Sequence, residues 1–134
     1  MAQDFTAIGD YETILATIAT DTVLEAGDCA GLTSGIVVKA TASHAEIAFC
    51  PAGSADGETE VEITRGRVML LGTADANFAV TDKALYQDLK GTTTQLIDLG
   101  TSSTDVFQIA ADTEAGTVDS TLNVKVRINK PITF

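Results

Sequence analysis

Leu122-Asn123-Val124-Lys125-Val126-Arg127-Ile128-Asn129 alternates apolar and polar residues without a fault. A strand sends successive side chains to opposite faces, so this run reads as a strand with one buried face. Leu122, Val124, Val126 and Ile128 are the expected core residues. Val61-Glu62-Ile63-Thr64-Arg65 repeats the pattern on a shorter scale and points Val61 and Ile63 inward. Ile36-Val37-Val38-Lys39 and Val68-Met69-Leu70-Leu71 are unbroken apolar runs, too short for helices and bounded by glycine. They read as strands buried more deeply. Ala45-Glu46-Ile47-Ala48-Phe49, with Ile47 in the core, and Val106-Phe107-Gln108-Ile109-Ala110 are two further candidates.

Two stretches are ambiguous. Tyr11-Glu12-Thr13-Ile14-Leu15-Ala16 is compatible with a short helix capped by Asp10, but the surrounding threonines favour an extended segment. Residues 81–89 are the one helix allowed here, the other reading being a turn that enters a strand at Ala84-Leu85-Tyr86. The intervening Gly27-Asp28, Pro51-Ala52-Gly53-Ser54-Ala55-Asp56-Gly57, Asp75-Ala76-Asn77 and Lys90-Gly91-Thr92-Thr93-Thr94 are turn chemistry. Short strands separated in this way predict a small single-domain all-β fold, a β-barrel or a β-sandwich. The expected organisation is an extended N-terminal arm over residues 1–8 and a β domain over 9–134. Phe5 and Ile8 would be the arm's apolar anchors.

Charge narrows the function. Among 134 residues, 8 are Lys or Arg and 19 are Asp or Glu, a formal net charge of −11. Phosphate neutralisation needs clustered cations, so direct nucleic-acid binding is not expected, nor docking on an anionic membrane. No apolar run approaches the ~20 residues that cross a bilayer. Met1-Ala2-Gln3-Asp4 lacks the basic start and apolar stretch of a signal peptide.

Catalytic chemistry is thin. His44 is the only histidine, so a Ser-His or Cys-His arrangement has one candidate base, and nothing nearby in sequence orients it. Cys29 and Cys50 lack the spacing of a metal or redox motif and read as small, reduced core residues. Aspartates 98, 105, 112 and 119 recur every seven residues, but no Asp-x-Asp-x-Asp-Gly loop accompanies them. The expectation is a binding module with no enzymatic activity, no cofactor and no metal.

Taken in order, the turns and strands resemble the head decoration (capsid cement) proteins of tailed phages. The resemblance begins at Phe5-Thr6-Ala7-Ile8-Gly9-Asp10-Tyr11-Glu12-Thr13-Ile14 and continues through Val23-Leu24-Glu25-Ala26-Gly27-Asp28 and Ser34-Gly35-Ile36-Val37. It passes through Gly57-Glu58-Thr59-Glu60-Val61-Glu62-Ile63 and Arg65-Gly66-Arg67-Val68. Thr81-Asp82-Lys83-Ala84-Leu85-Tyr86 is similar to the family's Gly-Asp-x-Val-Tyr strand start, with Thr81 in place of the glycine. Leu99-Gly100 and Val106 to Ala110 stand where the family has an Ile-Gly-x-Ala return, interrupted here by Phe107-Gln108, and Val124 to Ile128 closes the pattern. The resemblance implies a protein on the capsid exterior, made in the host cytoplasm and bound to the major capsid protein. It also implies a homo-oligomer, with a trimer favoured over a dimer, and Phe5 and Ile8 as capsid contacts. The other readings are a tail or baseplate component and a surface adhesion β module.

Overall fold

The computed structural model describes residues 4–41, 43, 44, 46–91, 94–113 and 121–132. The strands are β1 (Phe5–Ile8), β2 (Glu12–Thr17), β3 (Asp28–Thr33), β4 (Ile36–Lys39), β5 (Ile47–Cys50) and β6 (Glu60–Arg65). They continue with β7 (Met69–Gly72), β8 (Tyr86–Lys90), β9 (Leu96–Asp98), β10 (Phe107–Ile109) and β11 (Val124–Ile128). A 3₁₀ turn, Val80–Asp82, is the helical structure among the described residues. Residues 81–89 therefore take the turn-and-strand reading. Ala84 sits at φ 66°, a left-handed conformation that a right-handed helix cannot pass through.

Pairing produces three sheets: β1-β7-β11-β10-β8-β9, β4-β3-β5 and β2-β6. Every ladder is antiparallel. Ser34 (φ 52°) and Gly35 (φ 80°) turn β3 into β4 with Thr33 opposite Ile36. Two consecutive positive φ angles match the right-handed twist of a tight hairpin. One parallel bridge, Ala74 to Ile97, draws the far edge of the six-stranded sheet back toward β7. A single bridge is not a ladder, and the sheets do not close into a barrel.

The three-stranded sheet lies between two apolar clusters. Cys29, Ile47 and Phe49 join Leu70, Phe107, Ile109 and Val126 under the six-stranded sheet. Ala30, Val37, Ala48 and Cys50 join Ile18, Val61, Ile63 and Ile132 on the other side. This explains why β5 is buried at all four positions and β3 at its first four. Small residues suit that place because matter packs on both faces. Gly31 shows the constraint, since a Cβ there would stand 2.5 Å from Cγ of His44.

Six of the seven expected core residues, Val124, Val126, Ile128, Val61, Ile63 and Ile47, are buried. Leu122 is not; it is 58% exposed. Asn123 has φ 57°, which breaks the extended geometry before β11 begins, so the alternation does not reach back to Leu122. The N-terminal segment also differs from the expected arm. From Phe5 onward it is an edge strand, paired from Phe5 opposite Gly72 to Ile8 opposite Met69. Phe5 is fully buried, its ring centroid 5.4 Å from that of Phe107. Burial of a phenylalanine and a ladder of backbone bonds together hold this strand in place. Residues 1–3 lie outside the described set. At the other end Ile132 is buried and its carbonyl accepts the Gly66 N–H at 2.8 Å, so the chain past β11 completes the second core.

Candidate functional site

Register places five side chains in one row across the outer face of the six-stranded sheet. Ile8 is opposite Met69, Met69 opposite Arg127, Arg127 opposite Gln108, and Gln108 opposite Tyr86. Their strand neighbours Ala7, Leu70, Val126, Ile109 and Gln87 point the other way, as the pleat requires. Ile8, Met69, Gln108 and Arg127 are half-buried, and Tyr86 is exposed. The next row along holds Thr6, Leu71 and Lys125. Exposed Val80 and Leu85 add to the apolar character beside β8. A hollow of about 350 Å³ opens on this face, lined by Met69, Ala84, Gln108, Ile109, Ala110 and Arg127 among others.

The face is unusual for a chain this acidic. Around the β7 and β11 part of this row the charged residues are Lys125 and Arg127, with Asp112 reached by Lys125 at 2.9 Å, while toward β9 the same face carries Asp88, Lys90 and Asp98. No family model, curated protein or solved structure matches this chain. The site therefore stands on its own chemistry. Its arrangement suits protein docking: apolar area to bury, backbone held rigid by neighbouring strands, and cations at positions that register fixes.

Of the two capsid-contact candidates read from sequence, Ile8 lies in this row and Phe5 lies in the core. Met69, Tyr86, Gln108 and Arg127 were missed. The signal for Arg127 is its outward place, with Lys125, in the alternating run Val124 to Ile128; Met69, Tyr86 and Gln108 carry none, because each lies in a different strand.

The other chemical groups are committed to structure. His44 Nδ1 accepts the Thr41 N–H at 2.8 Å, so the ring proton is assigned to Nε2, which lies 3.2 Å from Thr33 Oγ1. Among the described residues no carboxylate is bonded to the ring; it covers Gly31 instead. Among the described residues no group of three His, Cys, Asp or Glu could hold a metal ion. Asp105 and Asp112 are engaged with Ser102 and Lys125, and Asp119 lies outside the described residues.

Cys29 and Cys50 are both buried and free. Cys29 faces the first core and Cys50 the second, on neighbouring strands where Cys29 is opposite Phe49 and Cys50 opposite Asp28. Burial pushes both thiols up, away from the reactive thiolate. A thiol-specific chromogenic reagent should leave the native chain unlabelled and titrate 2 thiols once denaturant is added. Rapid labelling of the native chain would contradict the burial.

Buried Asp88 is tied to a loop. Its carboxylate accepts the backbone N–H groups of Ser103 (3.1 Å), Thr104 (2.8 Å) and Asp105 (2.8 Å). Burial works to raise this carboxyl, but the bonds from Thr104, Asp105 and Ser103 outweigh it and hold the group below its ordinary value of 3.8. The sign follows from that depression. The contribution to stability is full above the unfolded value and is lost as pH falls through the lower folded one. Asp88→Asn should cost ~2 kcal/mol in urea unfolding at pH 7. The gap to the native chain should narrow below pH ~4 as the carboxylate protonates. A gap that does not change with pH would show that the charge contributes nothing.

Proposed function

We propose that this chain is a head decoration protein of a tailed phage. It binds the outside of the capsid and stabilises contacts between major capsid protein subunits. The observation that carries the reading is the apolar and basic patch on the outer face of the six-stranded sheet, from β1 through β7 and β11 to Tyr86 of β8. Ile8, Met69, Leu71 and Tyr86, with Arg127 and Lys125, form a docking face on a chain of net charge −11. The order of turns and strands, similar to that family's, supports the same reading. So does a small all-β body, which gives a stiff clamp at low mass.

In this reading the docking face meets the shell, and the acidic remainder faces solvent and keeps crowded copies apart. Three copies around a quasi-threefold axis would each touch a different subunit. A standard specific interface buries ~1,600 Å² in total. A body this small gains by sharing that area among linked contacts, because each later contact forms at high effective concentration. Electron microscopy of particles assembled with and without the protein tests this. Added density outside the head, at symmetry-related positions between subunits, is the expected result. Density on the tail would move the protein to tail assembly, and no density on either would overturn the reading.

A further inference from the structure

The hollow on the outer face of the six-stranded sheet is lined by a cation, Arg127. Lys39, Arg65, Lys90 and Lys125 each reach a carboxylate within 4 Å, at Asp28, Glu12, Asp75 and Asp112. Arg127, half-buried beside Met69 and Gln108, makes no ion pair among the described residues. Arg67, Lys83 and Lys130 also make no ion pair among the described residues, but Arg127 is the cation that lines the hollow beside Met69 and Ala110. Other cations stand close by: Lys125 on the same strand, and Lys83 near enough to act on the Asp112 carboxyl. Exposed Arg67 precedes Met69 by two residues. Positive charge thus collects around one apolar hollow while the chain as a whole is negative.

We propose that this hollow is the receptor for an acidic segment of the partner protein, in which a carboxylate pairs with Arg127 and an adjoining aliphatic side chain fills the space beside Met69 and Ala110. The inference rests on the docking reading above and names what that partner must present. A guanidinium offers a planar fork of donors that matches a carboxylate with two parallel bonds. Apolar walls strengthen the pair by excluding water. The volume, about 350 Å³, lies at the small end of the range for binding pockets, roughly 300–1,000 Å³. It holds one or two side chains, not a folded element.

The test uses isocaproate, an aliphatic carboxylate, as probe, with isocaproamide and isoamylamine as controls, followed by NMR on the full chain. Isocaproate should give saturable shifts at the Met69 methyl, at Ala110 and Ala111, and at the Arg127 side chain. The amide should bind at least ~10-fold more weakly, equivalent to ~1.4 kcal/mol. Arg127→Gln should lose the carboxylate preference while melting as the native chain does. Equal binding of acid and amide, shifts centred elsewhere, or none at all would overturn the proposal. Sedimentation of the same variants addresses a second copy as occupant. An oligomer that Arg127→Gln dissolves would assign the hollow to self-association and overturn it as well. Particle binding that survives Arg127→Gln would sink the receptor and spare the decoration reading. Carboxylate binding without any particle binding would do the reverse.

Discussion

Val126→Asp is expected to remove a large share of the chain's stability and lower its melting temperature steeply. Val126 is fully buried in β11, opposite Leu70 of β7 and Ile109 of β10, so its side chain has sheet on both flanks and core beneath. Among the described residues no Lys or Arg is buried, so no buried cation can pair with it. An aspartate there must either lose its hydration as a charge or take up a proton at a cost. The penalty, with the lost valine packing, reaches ~4 kcal/mol or more. A domain of this size has ~5–15 kcal/mol in all. Far-UV circular dichroism and a thermal melt are sufficient measurements. Leu122→Asp is the matched control, because Leu122 belongs to the same alternating run but is 58% exposed. It should change stability by no more than ~0.5 kcal/mol. Similar melts for the two variants would mean that the strand face is assigned the wrong way round.

Phe5→Ala should cost ~3–5 kcal/mol, the range for emptying a buried aromatic site. The ring fills the space over Gly72, where any side chain would collide with it, and packs against Phe107. Removing residues 1–8 should do more, because it deletes the edge strand, its ladder to β7 and the Asp4 carboxylate that accepts the Gln95 N–H at 2.9 Å. Urea unfolding of both variants separates the two accounts of this segment. A free arm would leave the midpoint untouched. A structural strand predicts a large drop for the point variant and no folded state for the truncation.

The strands that declared themselves in the sequence are those with one wet face. β11 and β6 alternate because one side meets the core and the other meets water. β3 was hidden for the opposite reason. Asp28-Cys29-Ala30-Gly31-Leu32-Thr33 has no alternation because both faces of its first four residues are covered, and its small residues carry little strand preference. β9 spans only three residues, Leu96–Asp98, too few for a period to show. Phe5-Thr6-Ala7-Ile8 does alternate, with Phe5 and Ala7 inward. Its place at the start of the chain and its few charges suggested an arm. The row of outward side chains from Ile8 to Tyr86 was less legible still. It depends on the register of five strands, and register is a product of the whole sheet rather than of any one segment.

The sheet β4-β3-β5 is a wall common to two cores. Neither core can be cut away as a smaller folded unit, since each would lose the partition that closes it. Breathing motions at the rim can release exposed edges, but the amides of Cys29, Ala30 and Gly31, in the fully buried part of β3, have no such shallow route to solvent. Their exchange with deuterated water should follow the unfolding of the entire molecule and report its global free energy directly. Such a body passes a load applied at one face through to the opposite one without yielding in parts. The first core's strain is already the second's.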